Sequence, residues 1–240
     1  MTDFDRASVV ITGASRGIGR HIALKFAKDT NRPLILIARN QDGLHQTKDL
    51  IEQTADNKVL TVHCDASDIH EVNSFKLDSD LSKPAIIINN AGNFLLKPLY
   101  QTTSKEFHEQ LEANLFTAVN ITNRFLPLIK KLSRGLIINI CSVSALHGLP
   151  ESGAYASAKH ALLGYTRSLR KELKSTDIGV TAVNLGQTES PSWEGSEVER
   201  DLLIDPEDVA AVVVNITKLS SRTVIEEILI QPQHGRVAPM

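Results

Sequence analysis

Tyr155 and Lys159 stand four residues apart in the stretch Ser152-Gly153-Ala154-Tyr155-Ala156-Ser157-Ala158-Lys159. On a helix that spacing puts both side chains on one face, about one turn apart. An ammonium beside a phenol favours the phenolate, which makes Tyr155 a candidate general acid or base and Lys159 the group that tunes it. Ser142 ends an apolar run, and its hydroxyl is suited to hydrogen-bond the same reacting oxygen. Asn114 falls inside a helical pattern, a poor place for asparagine unless its side chain has other work. Singly, these read as a cap, a core tyrosine, a surface lysine and a helix asparagine; their joint spacing lifts them above that.

A second constellation lies near the N-terminus, where the first apolar run leads into Thr12-Gly13-Ala14-Ser15-Arg16-Gly17-Ile18-Gly19 and then a helical pattern. Glycines at this spacing permit a tight turn and let backbone approach a pyrophosphate, whose charge the helix N-terminus stabilises. The ordinary alternative is a glycine-rich turn, and its place between strand and helix favours the dinucleotide reading. The second strand ends Ile37-Ala38-Arg39-Asn40, without the acid that would bind the ribose hydroxyls of NAD. Arg39 and Arg16 would instead grip a 2′-phosphate bidentately, so NADP(H) is the expected cofactor. Asp65, past the third strand, would accept from the adenine amine or, alternatively, cap the next helix.

The elements that position these groups follow from apolar runs alternating with amphipathic ones. Strands are expected at 8–12, 33–38, 59–63, 85–89, 135–140, 179–184 and 224–230, with helices between them. The runs are apolar throughout rather than alternating, which implies strands buried on both faces. The expected fold class is therefore α/β: a single-domain Rossmann fold spanning 1–240, a doubly wound parallel sheet of about seven strands with helices on both faces. Thr103 with Glu106 has capping-box spacing, and Asp205 precedes Pro206 as an N-cap before a first-turn proline. The one long connection, 187–204, is the candidate substrate lid.

These residues together resemble the short-chain dehydrogenase/reductase family, 3-oxoacyl carrier reductases and sepiapterin reductases among its members. The matching elements are the glycine turn Thr12 to Gly19, Asn89-Asn90-Ala91-Gly92, Asn114, Ser142, and Tyr155 with Lys159. The resemblance implies that Asn90, Ala91 and Gly92 line the cofactor site, that Ser142 and Tyr155 bind and protonate a carbonyl oxygen, and that Lys159 also holds the nicotinamide ribose. It implies for Asn114 a water linking Lys159 to solvent. The implied activity is hydride transfer between NADP(H) and a carbonyl or alcohol, with 3-oxoacyl, pterin and small β-hydroxy acid substrates all in play. The alternative is a non-catalytic NADP(H)-binding regulatory or scaffold protein, against which both Tyr155 and Lys159 count.

The chain departs from the family after the sixth strand, where asparagine-proline-glycine becomes Asn184-Leu185-Gly186, followed by Gln187, Thr188, Glu189 and Ser190. Leu185 removes a fixed φ, so a more mobile turn is expected, with Thr188 still offering backbone contacts to the cofactor. The lid carries Glu194, Glu197, Glu199 and Asp201, read as a solvated face; Trp193 either closes over substrate or anchors the lid. His147, Pro150, Glu151, Phe94 and Leu95 are expected to wall the substrate side.

A net charge of -2 with no Lys/Arg block excludes a nucleic-acid or membrane-surface role, since those partners select a concentrated basic face. No apolar stretch approaches a membrane span, and a soluble cytoplasmic protein is expected. A 240-residue chain buries a core that needs neither disulfides nor metals, and Cys64 and Cys141, in apolar runs, are expected buried and reduced. By resemblance the helices of Asn114 and Tyr155 pair with a second copy, as a homodimer or homotetramer. Leu162, Leu163, Leu169 and Leu173 spread apolar surface widely enough for both a sheet and a partner.

Overall fold

Runs of three or four consecutive β-branched or leucine residues at 9–12, 34–37, 86–88 and 136–138 do not suit a one-sided helix, and there they become strands covered on both faces. The computed structural model describes residues 2–78 and 81–237. Its strands are β1 (Ser8–Thr12), β2 (Leu34–Ala38), β3 (Val59–His63), β4 (Pro84–Asn89), β5 (Gly135–Ser142), β6 (Ile178–Leu185) and β7 (Glu227–Ile230). They form one parallel sheet in the order β3-β2-β1-β4-β5-β6-β7. The helices are α1 (Asp3–Arg6), α2 (Gly17–Asp29), α3 (Gln41–Glu52), α4 (Ile69–Ser74), α5 (Ser104–Leu111), α6 (Thr117–Ile129), α7 (Gly153–Glu172) and α8 (Pro206–Thr217).

Successive strand residues point to opposite faces, so each run feeds two cores. Val9 and Ile11 of β1, with Leu34 and Leu36 of β2, pack with Phe26 of α2, Leu44 of α3 and Val213 of α8. Val10, Ile35 and Ile87 pack on the other side with Val72 of α4, Phe125 of α6 and Leu169 of α7. The sheet is doubly wound, with a helical layer on each face.

Local signals place the helix starts. Thr103 caps α5 in a complete capping box, Glu106 returning a bond to the Thr103 backbone, and the same carboxylate pairs with Lys97 at 2.7 Å. Those bonds, the Lys97 contact foremost, hold the Glu106 carboxyl down to about 2. Asp205 caps α8 ahead of Pro206.

Three expectations change. β5 and β6 run on to Ser142 and Leu185, because they stay in register from Gly135 with Ile178 to Ser142 with Leu185. β7 begins only at Glu227; the residues before it reach β6 through separate bonds, such as Thr181 Oγ1 donating to Ile225 O at 2.7 Å. Leu162, Leu163, Leu169 and Leu173 are all buried within the chain's own core, so they leave no apolar surface for a partner. Among the described residues no helix is long and apolar enough to cross a membrane.

Both cysteines are buried as free thiols. Burial pushes the Cys141 thiol up to about 11, and burial with the carboxylates of Glu71, Asp65 and Asp68 does the same to Cys64. Only a thiolate attacks a disulfide reagent. At pH 8 the native protein should therefore react slowly with an aromatic disulfide, whereas two thiols per chain react at once in denaturant; fast native labelling would contradict this burial.

Candidate active site

The C-terminal ends of β1 and β4 carry the two loops that build one end of the site. Gly13 sits at φ 67°, the left-handed region that glycine enters without strain. A Cβ on Gly19 would lie 2.3 Å from the Gly13 carbonyl and 2.6 Å from Asn90 Nδ2, so α2 can start this close to both loops only with glycine there. Thr12 Oγ1 accepts from the backbone N–H of Asn90 and of Ala91, each at 3.0 Å, and Asn90 Nδ2 donates to Thr12 O at 3.0 Å. Arg16 is the N-cap of α2 and makes no side-chain cap bond, leaving the first-turn N–H groups beside Gly17 and Ile18 to face the cavity those residues line.

Ser15, Arg16, Ala38, Arg39, Asn40 and Asp65 border that cavity. Arg39 is 70% exposed and lies 3.6 Å from Asp65. Burial opposes ionisation of Asp65, yet hydrogen bonds from Ser67 and the Arg39 guanidinium outweigh it and hold its carboxyl below the ordinary value. Asp65 does not cap α4; Asp68 does, accepting from His70 N and Glu71 N. Asn40 caps α3 by accepting from Gly43 N at 2.8 Å.

At the other end, α7 presents Tyr155 and Lys159 to the same cavity as Ser142. Lys159 Nζ donates to Ile140 O at 3.0 Å, which holds the ammonium against β5, 5.7 Å from the centre of the Tyr155 ring. Phe94 meets that ring edge-on, centroids 4.9 Å apart at 80°. Ser142 Oγ accepts from Ser144 N at 3.1 Å, fixing the hydroxyl at the end of β5. Asn114 occurs in a π-helical turn, Glu112–Phe116, between α5 and α6. Its amide donates to Asn93 O at 2.9 Å and Gln110 O at 3.1 Å, while Oδ1 has no partner among the described residues. That oxygen and Lys159 Nζ both border Gly92, where a Cβ would lie 2.6 Å from the first and 3.6 Å from the second.

Residues 7–201 match the short chain dehydrogenase family across this whole arrangement. The chain belongs to that family. A sepiapterin reductase from Chlorobaculum tepidum is 29% identical over 239 residues, covering 95% of this chain and 97% of its own. An NADP-dependent 3-hydroxy acid dehydrogenase from Schizosaccharomyces pombe is 27% identical, covering 98% of this chain and 95% of its own. The alcohol dehydrogenase of the archaeon Thermococcus sibiricus, solved with 5-hydroxy-NADP, has a TM-score of 0.88 at 27% identity, covering 97% of this chain and 99% of its own. Short-chain dehydrogenases bind a nicotinamide cofactor and interconvert carbonyls and alcohols, and this chain is an oxidoreductase of that kind.

The residues present fit such a cofactor. The cavity measures about 1250 Å³, more than the ~300–1,000 Å³ of a usual small-molecule pocket, and runs from the arginines to Tyr155. The close backbone approach at Gly19 leaves helix N–H groups bare at its middle. Thr188 lines it too, its carbonyl already taken by Trp193 Nε1 at 2.9 Å.

Sequence reasoning missed the supports of the glycine turn. Thr47 Oγ1 donates to Ala14 O at 2.9 Å, and Arg20 donates to Ser15 O and, at 3.0 Å, to Thr47 Oγ1. Both belong to helix patterns in which a polar residue reads as surface. The substrate wall also shifts: Phe94, His147 and Pro150 line the cavity as expected, whereas Leu96 and Leu149 take the places assigned to Leu95 and Glu151. Trp193 is buried against Val198 and Leu203, so it anchors the segment 187–204, and it borders the cavity as well. The lid acids are exposed.

Filling the Gly92 space is the sharpest probe of this geometry. Gly92→Ala should lower the turnover of carbonyl reduction about 10²-fold, the scale of an ångström of misplacement at a reacting group, with the thermal midpoint close to wild type. Wild-type turnover in this variant would mean that the space between Asn114 and Lys159 carries no function.

Proposed function

We propose that the protein is an NADP(H)-dependent carbonyl reductase of a small ketone or 3-oxoacyl-type substrate. The observation that carries this reading is one continuous cavity with Arg16, which makes no ion pair among the described residues, and weakly paired Arg39 at one end and Ser142, Tyr155 and Lys159 at the other. Two guanidinium groups suit a 2′-phosphate, and β2 ends without the acid that would take the ribose hydroxyls; the Asp65 carboxylate, 3.6 Å from Arg39, is outnumbered by the two guanidinium groups. The names of the relatives, a sepiapterin reductase and an NADP-dependent 3-hydroxy acid dehydrogenase, support reduction of a ketone without choosing the ketone.

A bound reduced nicotinamide supplies the hydride that the carbonyl carbon receives. As the carbonyl π pair moves onto oxygen, Tyr155 gives that oxygen its phenolic proton, and Ser142 donates a hydrogen bond to it. Lys159 holds its ammonium 5.7 Å from the centre of the Tyr155 ring, beside the anion left behind. The phenolate regains its proton by way of Lys159, and the bare Oδ1 of Asn114 is the acceptor that a relaying water needs. The segment 187–204 acts as the substrate lid: Pro191 already lies over the glycine turn, its Cδ 3.0 Å from where a Gly17 Cβ would be.

The same reading includes assembly into a homodimer or homotetramer. Phe116, 46% exposed on the helix that carries Asn114, supports pairing there, now without the leucines of α7. Sedimentation should give at least a dimer; monomer alone would end this part of the proposal.

Tyr155→Phe should cut NADPH-dependent reduction of a carbonyl panel by about 10²–10⁴-fold while NADPH still binds. Removing Arg16 and Arg39 together should weaken NADPH about tenfold to a hundredfold, as lost charge-assisted bonds imply, and NADH far less. Equal losses for both cofactors, or a fully active Tyr155→Phe, would defeat the respective half of the proposal.

A further inference from the structure

Among the described residues four Lys or Arg side chains line the cavity: Arg16, Arg39, Lys159 and Arg236. The first two stand at the β1–β3 half and the third on α7, which leaves Arg236 without a task. It has no carboxylate within ion-pair distance among the described residues, since no ion pair involves it.

Its position follows from the end of the sheet. Ser142, Leu185 and Ile230 are level across β5, β6 and β7, so the chain leaving β7 emerges beside the reacting groups. Gly186 N donates to Ile230 O at 2.8 Å, and Gly235 N donates back to Pro232 O at 3.0 Å, reversing the tail towards residue 187. There the Gln187 side chain clamps the Val237 backbone with two bonds, Nε2 donating to Val237 O at 2.8 Å and Oε1 accepting from Val237 N at 2.6 Å. Val237 also packs against the Trp193 cluster. Arg236, an exposed residue, is thus held between a turn and a double hydrogen bond at a point where the tail lines the cavity. The cavity's acids on the substrate side, Glu109 and Glu112, come from α5 and the π turn, whereas the tail follows β7, the edge strand of the sheet.

We propose that Arg236 is a specificity-determining residue that binds the carboxylate of the substrate, making the substrate a short oxo acid or hydroxy acid, with Gln187 as its positioning residue. This deepens the reductase reading and rests on it. A guanidinium offers a carboxylate two parallel N–H donors, and a site built for that pairing discriminates against the neutral ester. Lysine would keep the charge and lose the fork.

The test compares 3-oxobutanoate with its methyl ester. Wild type should favour the acid in kcat/KM, and Arg236→Gln should reduce the acid-to-ester ratio about tenfold to a hundredfold, chiefly through KM, with Arg236→Lys in between. Gln187→Ala should raise KM for the acid and leave kcat close to wild type. Calorimetry of butanoate binding to the protein saturated with NADP+ gives a readout free of turnover, and Arg236→Gln should abolish that binding. If wild type reduces the ester but shows no preference that Arg236→Gln removes, this assignment falls and the reductase reading stands. If a loss appears only with 3-oxobutanoyl coenzyme A, Arg236 holds a phosphate and the assignment again falls. If wild type reduces neither compound nor any other carbonyl, the reductase reading fails, and this assignment with it.

Discussion

The meeting of two loops at the ends of β1 and β4 sets the geometry of everything above the sheet. After β1 the chain turns towards β2, and after β4 towards β5, so the loops diverge and a crevice opens between them, as at the switch point of any doubly wound sheet. Here the crevice is pinned by one hydroxyl: Thr12 Oγ1 accepts two backbone N–H groups from the opposite loop. The loops come so close that a Gly13 Cβ would stand 2.8 Å from Asn90 Nδ2. The same contact therefore sets where α2 begins, where the Asn90 loop lies and, two residues on, the Gly92 backbone beside Asn114 and Lys159. The glycine turn and the Asn114–Lys159 end of the cavity share one fixed point.

A second set of polar contacts orients the helices over that point. Asn89 Nδ2 donates to Asn139 Oδ1 at 2.8 Å and to Thr122 Oγ1 at 3.1 Å, and Asn139 Nδ2 donates to Thr166 Oγ1 at 2.7 Å. This chain links β4, β5, α6 and α7 inside an otherwise apolar layer. Apolar packing tolerates small rotations of a helix, whereas a directed bond in a low-dielectric interior does not. Thr166 is seven residues, two helical turns, beyond Lys159, so fixing the rotation of α7 also aims Lys159 and Tyr155. The π turn does the equivalent for Asn114. An inserted residue there, as π turns provide, faces the amide to Asn93 O and Gln110 O, with Oδ1 turned to the Gly92 backbone.

The strands, the glycine turn and the Tyr155–Lys159 face were legible because each depends on a periodicity or a spacing within a few residues. The extents of β5 and β6 were less so, since Cys141, Ser142 and Leu185 join the sheet only through partners more than forty residues away. Asn114 could be singled out as a misplaced helix asparagine, but the π turn that explains it leaves no mark in hydrophobic pattern. Thr47 and Arg20 act on the glycine turn through tertiary contact, and nothing in their own helices distinguishes them from solvated polar residues. The leucines of α7 misled in the opposite way. Their wide spread meant burial against two parts of one core rather than against a second chain.

The same distinction between local rule and tertiary contact governs the segment 187–204. Leu185 in place of a proline frees a dihedral angle, which by itself predicts a loose turn. In the folded chain Leu185 is paired with Ser142 and Ile230, and Gly186 is bonded to Ile230 O, so the neighbouring strands do what the proline ring would have done. The two ends of that segment are also tied to each other: Ile204 N donates to Gln187 O and Glu189 N to Ile204 O, both at 2.9 Å. Trp193, Val198 and Leu203 give the segment between them a small core of its own, closed by Val237 of the tail. Its contact with Val237 brings residues beyond β7 to the cavity wall, at a distance in sequence that no motif near Tyr155 would reveal.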